Sequence, residues 1–175
     1  MKITKTKFKN LVIIKTKIYH DNRGFFKENF KFNTLKKKFV FDCVSMSKKN
    51  VLRGLHLQTK NPQGKLISVL TGEIFDVALD LRKNSKTFGK YFSIKINEKS
   101  DFSIYIPPHF AHGFLCLSKE CKILYKCTNY RSQKHEKTIL WNDSDLNIKW
   151  PKANYVVSQK DLKGSKYHDF ITKNL

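Results

Sequence analysis

The chain has 175 residues, enough for one domain with a real core (residues 1–175) and too few for two comfortable ones. Hydrophobic residues make up 40% and aromatics 13%, which excludes a disordered chain. The formal charge of +21 suggests nucleic acid first, but the only arginines are Arg23, Arg53, Arg82 and Arg131 and the lysines run along the whole chain, so the expectation is a solvated basic surface that draws in an anionic small substrate.

In chain order, the N-terminus places lysines before the short apolar stretch LVII. That stretch is far below a signal-peptide core, and no run approaches the ~18 residues of a membrane span, so no membrane partner and a cytoplasmic protein are expected. The segment LVIIKTKIYHDNRGFFKENF reads as two strands around a turn at Asp21-Asn22. Asn33 or Thr34 could cap a short helix through LKKKF. From Leu66 to Thr128 the hydrophobic period is 2. KLISVL ends in a turn at Thr71-Gly72. In EIFDVALDL, Phe75, Val77, Leu79 and Leu81 fall on one face, with Ile74, Asp76, Ala78 and Asp80 on the other. YFSIKI and DFSIYI alternate in the same way, and Pro107-Pro108 ends the latter. HGFLCLS and CKILYKCT are two further strands. Ser158 could cap a helix at SQKD, with Asp161 at the capping-box position. Many short strands with tight turns predict an all-β sandwich or barrel carrying a few short peripheral helices.

Cys43, Cys116, Cys121 and Cys127 form no CxxC pair and match no common zinc spacing, so free, mostly buried thiols are expected. In VLRGLHLQ, Arg53 and His56 flank Gly54, and Lys65 follows nine residues after His56. On neighbouring strands of one barrel these three would make a cationic pocket, which implies an anionic ligand because unpaired buried charge is costly. Equally, His56 could be a hydrogen-bonded core histidine and Lys65 a surface lysine at a strand end. The usual metal-binding pattern of small barrels has two His one residue apart and then a Glu. Here Gln58 takes the second His position and Lys65 supplies a cation that can stabilise an oxyanion, so no metal is expected. His112 shares parity with Phe114 and Cys116, and on its own reads as a core histidine. His109, after two prolines, reads as exposed. Tyr130 follows the strand CKILYKCT, at the strand end where a barrel mouth is lined, and its phenol is a candidate proton donor.

Taken in order, DNRGFFKENF, VLRGLHLQ, QGKLISVLTGEIFDVALDLRKNSKTFGKY, IPPHFAHGFLCLS, ILYKCTNY, ILWNDSDLNIKWP and VSQKD resemble the dTDP-4-dehydrorhamnose 3,5-epimerase family over roughly residues 19 to 163. The resemblance implies a cupin-type jelly roll, a homodimer, no metal or cofactor, and epimerisation of a nucleotide-diphosphate 4-keto-6-deoxysugar on the way to rhamnose-like sugars of surface polysaccharides. It implies His56 as general base oriented by Asp161, Tyr130 as general acid on the opposite face of the sugar, and Lys65 against the enolate oxygen. Arg53 and Arg23 would hold the pyrophosphate, Phe25 and Glu28 would line the nucleotide side, and His112 would be a pocket residue. The chemistry is coherent. A 4-keto group acidifies the hydrogens on C3 and C5, and inversion needs one group to remove a proton and another to deliver one to the opposite face.

The chain departs from the family where Phe41 and Cys43 replace a usual Gln and Asn, which makes the pocket more apolar. It departs again where Arg131, Ser132 and Gln133 replace an aromatic and a proline. A shifted sugar preference, or a change in the number of centres inverted, is the consequence expected. Three other readings are a single-centre epimerase or ketoisomerase, a sugar-nucleotide-binding module without turnover, and a nucleic-acid binder. The ketoisomerase would lack the Lys65 and Tyr130 arrangement, the binding module would have Asp161 or Tyr130 pointing away from His56, and the nucleic-acid binder would show steep salt dependence. The long N-terminal β segment leaves edges that exchange with a twin would cover, carrying Arg23 and Glu28 into the partner's pocket.

Overall fold

A computed structural model describes residues 1–174. The strands in chain order are β1 (Lys2–Lys5), β2 (Val12–Lys15), β3 (Ile18–Asp21), β4 (Gly24–Lys27), β5 (Phe41–Lys48), β6 (Val51–Gln58), β7 (Lys65–Thr71), β8 (Glu73–Asp80), β9 (Tyr91–Asn97), β10 (Phe102–Ile106), β11 (Phe110–Cys116), β12 (Glu120–Cys127), β13 (Glu136–Thr138) and β14 (Val156–Val157). The helices are α1 (Phe32–Leu35), α2 (Gln159–Leu162) and α3 (Tyr167–Asn174). Two sheets form the body. One runs β1-β2-β10-β7-β12-β5 and the other β13-β6-β11-β8-β9, with β14 lying parallel to β6. The expected all-β, cupin-type jelly roll with short peripheral helices is the architecture found.

The main core lies between the sheets and includes Ile67, Val69, Ile74, Ala78, Ile96, Ile104, Phe114 and Ile123. β8 explains the layering. Its Ile74 and Ala78 face this core, while Val77 and Leu79, with Leu81 just beyond the strand, face a second cluster closed by Trp150 and Phe170. Both faces of β8 are therefore covered, although the alternation on paper suggests one dry face and one wet one. The extra cover comes from α3, whose Phe170 is fully buried, a contribution of about 2–3 kcal/mol for such a ring.

Two local expectations change. The helix near residue 33 starts at Phe32, ahead of where a cap at Asn33 or Thr34 would set it. It spans Phe32–Leu35 with no side-chain cap, and Lys36 ends it in the left-handed region, so of LKKKF only Leu35 is helical. The N-terminal segment holds three strands. β2 joins the first sheet, while β3 and β4 form a separate hairpin around Asn22-Arg23. By contrast, Ser158 caps α2 as expected, accepting from the Asp161 backbone N–H at 3.1 Å. Cys116, Cys121 and Cys127 are buried and Cys43 is exposed, all four as free thiols.

Candidate active site

A pocket of about 670 Å³ opens between the two sheets. Its walls come from β6 and β11 on one side and β5, β7 and β12 on the other, with α2 at the rim. The local sequence sets this shape at Gly54. A Cβ there would stand 2.6 Å from Gly113 Cα and 2.7 Å from the His112 carbonyl oxygen, and φ is +117°. Only glycine lets β6 approach β11 this closely. That approach pairs His56 with His112 across the two strands, and both rings line the pocket.

Each histidine holds a carboxylate. His56 Nε2 lies 2.5 Å from Asp161 Oδ1, and the other Asp161 oxygen accepts the Gly54 backbone N–H at 3.3 Å. A carboxylate only accepts, so Nε2 carries the proton and Nδ1 is left free. Burial works to raise the Asp161 carboxyl, but the His56 hydrogen bond, the Gly54 N–H and Ser158 together hold it below its ordinary value. Asp161 thus stays ionised, and its place at the start of α2 follows from the Ser158 cap. His112 repeats the arrangement with Asp76, Nε2 to Oδ2 at 2.7 Å, with both side chains buried. The second oxygen of Asp76 has no hydrogen-bond partner among the described residues.

Lys65, at the start of β7, lines the same pocket. Burial pushes its ammonium below the ordinary lysine value, and the charges around it, including Glu136 and Asp76, offset this only in part. No side-chain ion pair reaches it among the described residues. Arg53 also lines the pocket. Its Nε donates to Ser47 Oγ at 2.9 Å and a terminal nitrogen donates to the Met46 carbonyl at 3.0 Å, which ties β6 to β5.

The structure separates Tyr130 from this group. Its side chain is 70% exposed, packs against Phe41 with ring centroids 6.4 Å apart, and does not line the pocket. Five residues earlier, Tyr125 does line it, on the sheet opposite His56. Its ring is 6.1 Å from His112, and its hydroxyl is 3.2 Å from Ser45 Oγ. Burial pushes its hydroxyl well above the ordinary tyrosine value, so it is a protonated phenol at neutral pH. Parity held the signal. Tyr125 shares the inward face of β12 with Ile123 and Cys127, whereas Tyr130 lies beyond the strand end, where alternation no longer fixes direction.

Arg23, Phe25 and Glu28 also lie outside the pocket of their own chain. Arg23 pairs with Asp21 at 2.7 Å, Glu28 pairs with Lys31 at 2.7 Å, and Phe25 is 63% exposed on the β3–β4 hairpin. Phe41 and Cys43 do line the pocket. Arg131 adds less positive charge than the sequence suggests, because Glu136 pairs with both Arg131 and Lys160 at 2.9 Å. Glu136 carried no sequence signal as a site residue, and Gln58, which also lines the pocket, is buried with its amide donating to the Asn61 and Tyr130 carbonyls. Among the described residues no cluster of three His, Cys, Asp or Glu side chains is placed to hold a metal ion.

Comparison with known proteins places the whole chain in one family. The model of the family described as dTDP-4-dehydrorhamnose 3,5-epimerase matches residues 5–169. A curated dTDP-4-dehydrorhamnose 3,5-epimerase of Shigella flexneri is 42% identical over 97% of each chain. The crystal structure of the Elizabethkingia anophelis dTDP-4-dehydrorhamnose 3,5-epimerase superposes with a TM-score of 0.91 at 40% identity, covering 100% of this chain and 99% of that one. A Legionella pneumophila dTDP-6-deoxy-D-glucose-3,5-epimerase, solved in complex with dTDP-4-keto-L-rhamnose, superposes at 0.90 with 42% identity, covering 94% and 92%. With the match running nearly end to end and the pocket carrying a histidine–carboxylate pair, a lysine and a tyrosine, the chain belongs to the dTDP-4-dehydrorhamnose 3,5-epimerase family.

Proposed function

We propose that this protein epimerises C3 and C5 of dTDP-4-dehydro-6-deoxyglucose to give dTDP-4-dehydrorhamnose, moving protons through an enolate. The observation that carries the proposal is the placement of two proton-transfer groups on opposite walls. His56, held by Asp161 of α2, stands on one sheet and Tyr125 on the other, with Lys65 in the same pocket. His56 Nδ1 takes the proton from carbon. The charge moves to the ketone oxygen, which Lys65 meets as a donor, an interaction that strengthens as the enolate forms. Tyr125 then delivers its proton to the opposite face. The general-acid role thus passes from Tyr130 to Tyr125. Tyr130 does point away from His56, yet Tyr125 fills the opposite wall, so the reading without turnover gains nothing from it.

Arg53 holds the diphosphate at the mouth. Arg23, Phe25 and Glu28 serve the pocket of a twin chain in a homodimer. The exposed aromatics of the hairpin that carries them, Tyr19, Phe25 and Phe26, support this. Four unpaired cysteines support a reducing compartment such as the cytoplasm.

The test compares Tyr125→Phe with Tyr130→Phe on the 4-keto sugar in heavy water. Tyr125→Phe is expected to keep exchange at carbon, because His56 is intact, while inversion falls about 10²-fold or more. Tyr130→Phe is expected to keep both. The reverse pattern would return the acid role to Tyr130.

A further inference from the structure

The pocket contains a feature that proton transfer does not use. Cys43 sits opposite Tyr125 and Cys127 opposite Phe41 in the antiparallel register of β5 and β12, so the two cysteines are diagonal neighbours on one face. Both line the pocket, near enough that each thiol affects the other's titration. Lys65 flanks Cys127 from the other side, as its register partner on β7. Cys43 is exposed while Cys127 is 3% exposed, so a reagent in the pocket meets Cys43 first. β5 is an edge strand, paired in its sheet with β12 alone among the described residues and tied to β6 by Arg53 at Met46 and Ser47 rather than at Cys43, which leaves room for the small shift an S–S bond requires.

We propose that Cys43 and Cys127 form an oxidisable dithiol in the pocket wall, closed to an intramolecular disulfide by a hydroperoxide and reopened by a small thiol. The Cys43 thiolate attacks the peroxide. An S–O bond forms, the O–O bond breaks, and the leaving hydroxide takes up a proton as water. The Cys127 thiolate then displaces hydroxide from the sulfenic acid. For hydrogen peroxide the balance is two thiols oxidised and one peroxide reduced to two waters. Burial raises both thiols, Cys127 to about 11, and the Lys65 ammonium only partly counters it. Closure is therefore slow at neutral pH and quickens as pH rises. The other neighbouring pair, Cys116 and Cys121, is fully buried, out of reach of the oxidant.

The consequence for turnover rests on the function proposed above. The bridge would form among Lys65, Tyr125 and Phe41 and displace them from their working positions.

The experiment treats the full chain with hydrogen peroxide, alkylates the remaining thiols and maps the peptides by mass. The expected product links Cys43 to Cys127, leaves Cys116 and Cys121 alkylatable after unfolding, forms faster at higher pH and is absent from Cys43→Ser. This readout is independent of turnover, so it stands or falls apart from the epimerase assignment. In protein with measured epimerase activity, closure is expected to lower turnover about tenfold or more, with recovery on adding dithiothreitol. A Cys116–Cys121 link, a link between two chains, or four free thiols after peroxide would overturn the dithiol. A mapped Cys43–Cys127 link with unchanged turnover would overturn its action on the enzyme.

Discussion

Lys65 shows how a single side chain can cost stability and serve chemistry. Its ammonium is buried among groups that offset the loss of water only in part. The folded state lowers its pKa from the ordinary 10.5, so between the lowered value and 10.5 the unfolded chain holds a proton that the folded chain has given up. Stability therefore rises with pH across that window. Lys65→Met is expected to raise stability at neutral pH by roughly 1 kcal/mol, with the advantage shrinking as pH climbs toward 10.5. The same variant is expected to lose about 10²–10³-fold in kcat, because a donor to the developing oxyanion is gone. Urea unfolding at several pH values and steady-state kinetics check both halves. A variant less stable than the native chain at neutral pH would contradict the account. Much of this site was legible as residues. His56, Lys65, Arg53 and His112 all line the pocket, and Asp161 of α2 meets His56; alternation alone would set Arg53 and His56 on opposite faces, and the register shift between β6 and β11 at Gly54 brings both to the pocket. The tyrosine was not legible, since Tyr130 follows the last ladder residue of β12 and its direction is set by its packing on Phe41.

Among the elements, β6 and β11 determine whether the site exists. Their approach at Gly54 and Gly113 brings His56 beside His112 and lets the Gly54 N–H reach Asp161. Gly54→Ala would drive a Cβ into backbone atoms of β11 while holding a non-glycine residue at φ +117°. We expect destabilisation of roughly 3 kcal/mol, read as a lower urea midpoint with an unchanged slope. A midpoint within error of the native chain would show that the two strands can separate without cost. The Ser158 cap was legible because Ser-x-x-Asp is a local signal that needs no tertiary knowledge. The helix at Phe32–Leu35 was not, because no side chain caps it. Its last residue, Leu35, packs against the small cluster of Ile14, Leu66 and Tyr105, a contact that no local pattern encodes. The double burial of β8 also escaped the sequence, since the cover on its second face comes from Trp150 and Phe170, far along the chain.

For the whole molecule, the +21 charge and the hairpin point to the same economy of design. A broadly basic surface favours the encounter with a doubly charged diphosphate, and added salt is expected to weaken it. The β3–β4 hairpin stands apart from both sheets with its aromatics exposed, a disposition that a twin chain would complete. If Arg23 serves the partner's pocket, mixing inactive Arg23→Ala and His56→Ala chains restores activity. Heterodimers then carry one pocket with both residues intact, and equal mixing gives about a quarter of native turnover. Activity that stays at the level of the separate variants after subunit exchange would place Arg23 in its own chain's site or in none. The strand pattern made the barrel legible. How its copies assemble was not, because edges and exposed rings say that something covers them without saying in what register. The central claim is that His56 drives proton exchange at both carbons flanking the ketone. The measurement is deuterium incorporation into dTDP-4-keto-6-deoxyglucose in heavy water, located by NMR, with His56→Ala alongside. The account predicts label at C3 and C5 with the native chain and at neither carbon with the variant. Label that persists in His56→Ala, or a folded native protein that labels neither carbon, would contradict it.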